Sequence, residues 1–194
     1  MRCRYVPKAQ ISQEVAIKIL VSYATTEGHT RKIAQHVADR LVNAENSVEL
    51  LDLTQANNID LSRFDGAILA ASIHMGHYQR GLSEFAAKHA LALKTTPTLF
   101  LSVSLSAAGH DAKDWQGLED IMADFTEATG WTPTRTEQIA GNYCPSKYDV
   151  FRRFIMRRII MSKDDLADPD HDHDYTDWHA LNRIVDDWRE SLTK

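Results

Sequence analysis

Cysteine is scarce: Cys3 and Cys144 are the two among 194 residues, and neither stands in a CxxC motif or beside a metal-ligand partner. A reducing cytosol is the simplest setting for such a chain. Long apolar runs are missing too. No stretch approaches the roughly 20 apolar residues that a membrane-spanning helix needs, so any membrane contact is expected to be peripheral. Met1 to Glu14 carries Arg2, Arg4 and Lys8 with no apolar run behind them, and so lacks the centre of a secretory signal. Residues 1–14 read as a short extension, and the domain as 15–194. Basic surplus is also lacking, since a net charge of -5 and a pI near 6.0 count against nucleic acid as the main partner. No internal repeat or low-complexity linker divides the chain, and 43% hydrophobic with 25% charged residues suits one sizeable core.

What is present alternates between two periods. Val15 to Ser22 is a β-branched, mostly apolar run, and Thr30 to Ala44 follows with Ile33, Val37 and Leu41 on one helical stripe. Ser47 to Leu53, Gly66 to Ala71, Pro97 to Val103 and Arg135 to Ala140 read as four further strands. Leu82 to Leu93, Asp114 to Thr129 and Asp177 to Leu192 read as helices, with Gly130 placed for a left-handed cap. Strands alternating with helices predict an α/β fold: a doubly wound, five-stranded parallel sheet in the order 2-1-3-4-5. An insertion of about 143–175 lies near the fifth strand.

The turn after the first strand is Thr25-Thr26-Glu27-Gly28-His29-Thr30, leading directly into a helix. A helix N-terminus at the carboxyl end of a parallel strand offers free N–H groups and partial positive charge to an anion. Gly28 permits close backbone approach, and the threonine hydroxyls can donate to phosphate oxygens. Such turns also serve as plain helix caps. The loop resembles the flavodoxin FMN phosphate loop, T/S-x-T-G-x-T, at Thr25, Gly28 and Thr30. Glu27 stands where threonine is usual and is expected to turn its side chain to solvent. A Walker lysine and the G-x-G-x-x-G pattern are absent, which disfavours a nucleoside triphosphate or NAD.

Two more polar loops leave the same sheet edge: Ser72-Ile73-His74-Met75-Gly76-His77-Tyr78 and Ser102-Val103-Ser104-Leu105-Ser106. In flavodoxins the corresponding loops hold the isoalloxazine ring. Ile73, Met75, Tyr78 and Leu105 are expected to offer apolar faces, and Gly76 a tight turn. No residue is marked out as a catalytic acid or base, which flavin chemistry permits because the cofactor carries the redox step.

These loops, with Phe85 to His89, Ile139-Ala140-Gly141, the basic Tyr148 to Ser162 stretch and Tyr175-Thr176-Asp177-Trp178, occur in the order seen in the menaquinone-dependent protoporphyrinogen IX dehydrogenase family. The resemblance covers nearly everything from Ile17 onward. It implies an FMN-dependent oxidation of protoporphyrinogen IX, with menaquinone or ubiquinone as acceptor, in haem synthesis at the cytoplasmic face of the inner membrane. A homo-oligomer is left open. An electron-transfer flavodoxin and an NAD(P)H-quinone reductase are the rival readings on the same fold.

Lys147 to Lys163 sets Arg152, Arg153, Arg157 and Arg158 among apolar residues. Those arginines are expected to meet anionic lipid headgroups or substrate propionates, or else solvent if the segment packs on the domain. Asp164 to Asp174 holds six aspartates and two histidines, but alternation in a proline-containing loop fixes no geometry, and no metal is expected.

Overall fold

The computed structural model describes residues 16–54, 59–147, 168 and 170–193. After Lys18, every residue of β1 (Lys18–Ala24) is buried. Ile19, Val21 and Tyr23 enter one core, Leu20 and Ala24 the other. That is the period-two alternation of a strand whose two faces are both covered, which is why the run is apolar throughout. The first core is closed by α1 (His29–Asn43), through Ile33, Ala34, Val37 and Leu41, and by α4 (Trp178–Ser191), through Leu181, Val185 and Trp188. On the opposite face lie α2 (Arg80–Thr95), with Leu82, Phe85, Ala86 and Leu93, and α3 (Ala112–Thr129), with Phe125.

The remaining strands are β2 (Ser47–Asp52), β3 (Gly66–His74), β4 (His77–Tyr78), β5 (Thr98–Ser104) and β6 (Arg135–Ala140). The sheet runs β2-β1-β3-β5-β6, all parallel, with β4 paired antiparallel to the end of β3. Setting the two-residue β4 aside, the long strands follow the expected order 2-1-3-4-5.

Sequence signals for the ends act locally as expected. Gly130 adopts φ 68 and closes α3 through its N–H to Thr126 O. Asp111 and Asp177 cap α3 and α4 by accepting from Lys113 N and Ala180 N. By contrast α1 and α2 begin without a side-chain cap, at Gly28 and Gln79. Gly66 opens β3 beneath α4, where an added Cβ would stand 2.9 Å from the Trp188 ring and 3.0 Å from Leu192.

Two further features were not expected. β3 runs three residues past Ala71 and turns back through Met75 and Gly76 into β4, pairing Ile73 with Tyr78 and His74 with His77. A separate two-stranded clasp joins β7 (Asn142–Tyr143) to β8 (His173–Asp174), antiparallel. It brackets the segment carrying Arg152, Arg153, Arg157 and Arg158, which lie outside the described residues, as does the extension 1–14. Among the described residues no helix is long and apolar enough to cross a membrane.

Candidate functional site

The carboxyl ends of β1, β3 and β5 fall on one edge because their registers place Ala24 beside Ala71 and Ser72 beside Val103. All three candidate loops leave from this edge, where ligands bind in open parallel sheets. The loop after β1 is closed by Thr25, whose Oγ1 accepts from Gly28 N at 3.0 Å. Gly28 then takes φ 92, with no atom within 4 Å of the place a Cβ would occupy. The left-handed backbone favours glycine, and the empty space on its outer side lets an anion approach the uncapped first turn of α1.

Gln79, which spacing and composition did not single out, ties this loop to the next. Its Nε2 donates to Ser72 Oγ and, at 3.4 Å, to Thr26 Oγ1. Its Oε1 is buried with no partner among the described residues. A buried acceptor without a donor costs about 1–3 kcal/mol, and a ligand hydroxyl or N–H lying between the two loops would relieve it. The only sequence hint was the residue's place at the start of a helix, next to the loop.

The ring loops divide between interior and surface. Tyr78 is 8% exposed and lies among Phe100 and Phe125, at centroid distances of 5.1 and 5.0 Å, with both contacts edge-on. Its hydroxyl donates to Ser102 Oγ at 2.9 Å, and Ser102 is itself fully buried. Burial pushes the Tyr78 phenol above its ordinary value, although the Ser102 bond works the other way. Val103 belongs to the first core. Tyr78, Ser102 and Val103 therefore shape the floor beneath the site, with their side chains packed inward. Ile73 is half-buried against the second core, and Leu105 is half-buried at the end of β5. Ser104 Oγ accepts from Ala107 N at 3.1 Å, which orders the turn that begins at Ser106.

Met75 and Gly76 form a two-residue hairpin turn with φ 51 and 81. Positive φ at both positions is the type I′ pattern, normally filled by Asn-Gly. Met75 is 87% exposed despite being apolar, and His77 is exposed beside it. The tip thus presents an apolar side chain at the rim of the site on a strained backbone.

His29, Thr30 and Glu27 complete the first loop. Thr30 is buried and Glu27 half-buried. The His29 side chain is 8% exposed, and its Nε2 lies 2.8 Å from Thr176 Oγ1. Lys32, one turn later, donates to Asp174 at 2.9 Å. Burial raises the Asp174 carboxyl, but Lys32, the Thr176 N–H and hydroxyl, and His29 together hold it below the ordinary aspartate value. Two cavities lie elsewhere, of about 400 Å³ between α1 and α4 and about 620 Å³ between α3 and β6.

An open parallel sheet with a glycine-led phosphate loop and two flanking loops defines a mononucleotide-binding protein of the doubly wound α/β class. Residues 20–170 match the flavodoxin domain family, and the chain belongs to it. Flavin mononucleotide is accordingly its cofactor, and the residues fit that group: an uncapped α1 behind Gly28 for the phosphate, and the unpartnered Gln79 acceptor between the phosphate and ring loops. The chain is 28% identical over 173 residues to a protein of Leishmania major named protoporphyrinogen IX dehydrogenase [quinone], covering 88% of this chain and 74% of that one. The Escherichia coli K12 protein of the same name is 28% identical over 165 residues, covering 85% and 91%. Among solved structures, a short-chain flavodoxin associated with a PDU bacterial microcompartment aligns with TM-score 0.55 at 15% identity, over 91% of this chain and 99% of that one. A flavodoxin from the Archaea aligns with TM-score 0.51 at 12% identity, over 92% and 100%. These two likenesses establish the fold.

Proposed function

We propose that this chain is an FMN-dependent oxidoreductase that converts protoporphyrinogen IX to protoporphyrin IX for haem synthesis, with a respiratory quinone as acceptor. The carrying observation is the similarity, over 85% or more of this chain, to two proteins named for that reaction. Six electrons and six protons leave the macrocycle in three two-electron steps, and three quinones become three quinols. Bound FMN supplies the redox chemistry. The protein's own part is positional: Thr25 and Gly28 shape the phosphate loop, Gln79 holds that loop to Ser72, and the packed Tyr78–Ser102 pair supports the ring loops. Met75 adds an exposed apolar contact at the rim, suited to a flat macrocycle or a quinone ring.

The reaction is proposed to run at the cytoplasmic face of the inner membrane, where the quinone pool is within reach. Arg152, Arg153, Arg157 and Arg158 are proposed to contact anionic headgroups or substrate propionates, with binding that weakens as salt rises. The test is anaerobic oxidation of protoporphyrinogen IX by the FMN-loaded protein, following porphyrin fluorescence and quinone loss together. Acceleration over free FMN with about three quinones consumed per porphyrin is expected. No acceleration with any quinone, alongside electron exchange with a flavodoxin reductase, would install the electron-carrier reading instead.

A further inference from the structure

Behind the phosphate loop, at the root of the clasp, a hydrogen-bond relay joins residues far apart in sequence. Thr176 is 7% exposed, and its Oγ1 donates to Ala140 O at 2.8 Å. A carbonyl can only accept, so the hydroxyl is the donor in that bond. Thr176 Oγ1 also lies 2.8 Å from His29 Nε2, a hydrogen bond whose direction follows the imidazole tautomer. The same Nε2 lies 3.5 Å from Asp174, which also receives Lys32 at 2.9 Å. Lys32 stands 4.8 Å over the Trp178 ring, and His29 meets that ring edge-on at 6.1 Å. The His29 side chain is thereby held against the protein interior and ties the loop to Thr176 and Trp178.

The clasp is anchored at its other side to the third loop. Gly141 N donates to Ser104 O at 2.9 Å, where β5 ends, and Tyr175 N donates to Gly141 O at 3.1 Å. Ser146 donates to Asp172 from both its N, at 3.1 Å, and its Oγ, at 2.6 Å. One contiguous set of contacts thus runs from the first turn of α1, through Thr176 and the β7–β8 pair, to the loop after β5.

We infer that His29 and Thr176 are positioning residues that couple cofactor binding to the integrity of the β7–β8 clasp. The inference rests on FMN occupying the phosphate loop. FMN that orders the first turn of α1 stabilises the His29–Thr176 contact, and the contact holds the turn ready for FMN. Such coupling is reciprocal by thermodynamic necessity.

The test combines FMN titration, read by flavin fluorescence, with hydrogen exchange of peptides covering 141–147 and 171–177, with and without FMN. Thr176→Val removes the hydroxyl while keeping the shape, and is expected to weaken FMN roughly three- to tenfold, the worth of one net hydrogen bond. Thr176→Ser keeps the hydroxyl and should restore most of the affinity. In the wild type FMN should slow exchange in both peptides, a measurement that needs no variant to fold. Wild-type protein that binds FMN while clasp exchange stays unchanged overturns the coupling, as does a folded Thr176→Val with wild-type affinity. Wild-type protein that binds no FMN removes the cofactor assignment itself, and the coupling falls with it.

Discussion

Tyr78, on β4, donates its hydroxyl to Ser102 Oγ, on β5, at 2.9 Å, and both side chains are buried. Removing the hydroxyl leaves the aromatic packing against Phe100 and Phe125 in place. Tyr78→Phe is expected to cost about 1 kcal/mol in urea unfolding, and Tyr78→Ala about 3–5 kcal/mol. Because burial raises the phenol, the midpoint of Tyr78 ionisation should lie above 10.0, the ordinary tyrosine value. Titration below that value would contradict the packing described.

Gln79 carries a buried acceptor with no partner among the described residues, so its apo form bears a cost that ligand binding relieves. Gln79→Leu removes the unsatisfied acceptor together with the bonds to Ser72 and Thr26, so the apo melting temperature should change little while FMN weakens by roughly tenfold. Paired thermal melts and FMN titrations separate the two effects. A variant that loses stability while keeping its affinity would assign Gln79 to the scaffold.

At Gly66 a methyl group has no room, with Trp188 at 2.9 Å from the would-be Cβ and that tryptophan itself 3% exposed. Gly66→Ala should destabilise by about 1–3 kcal/mol through overpacking. Since the contact is at the start of β3 and the site at its end, FMN affinity in native buffer should hold. Denaturant midpoints and a flavin titration check both halves of the expectation.

Asp174 supplies the pH dependence. Its folded pKa is depressed below 3.8, so its contribution to stability is complete above that value and is lost as the pH falls through the still lower folded pKa. Asp174→Asn should therefore be less stable than wild type at pH 6, with the gap closing as the pH drops below 3.8. Urea unfolding of both proteins between pH 6 and pH 2.5 reads this directly, and a gap that widens on acidification would reverse the assignment.

The long elements were legible because each repeats one signal many times. Ile33, Val37 and Leu41 mark the buried face of α1, and the unbroken apolar run at the start of β3 marks a strand covered on both sides. Gly130 was legible as a cap because a single left-handed residue after a helix has few alternatives to glycine. The loop of residues 25–30 could be located by its place between a strand and a helix.

Short pairings carry no such repetition. Two residues in β4, or in β7 and β8, show no period, and Met75 in the left-handed region departs from the Asn-Gly pattern that would have announced a hairpin. Sequence order placed Tyr78 and His29 among the loops, but not the direction of their side chains. Tyr78 turns inward because Phe100, Phe125 and Ser102 converge from other elements, and His29 turns to Thr176, 147 residues away in the chain. The amino-acid sequence by itself determined the order of strands and helices, the two covered faces of the sheet and the place of the loop of residues 25–30 between β1 and α1, since each follows from residues close together in the chain. Only the tertiary structure decided which loop side chains face the ligand edge and which brace it from behind, because that choice depends on partners brought together by the crossover connections of the sheet.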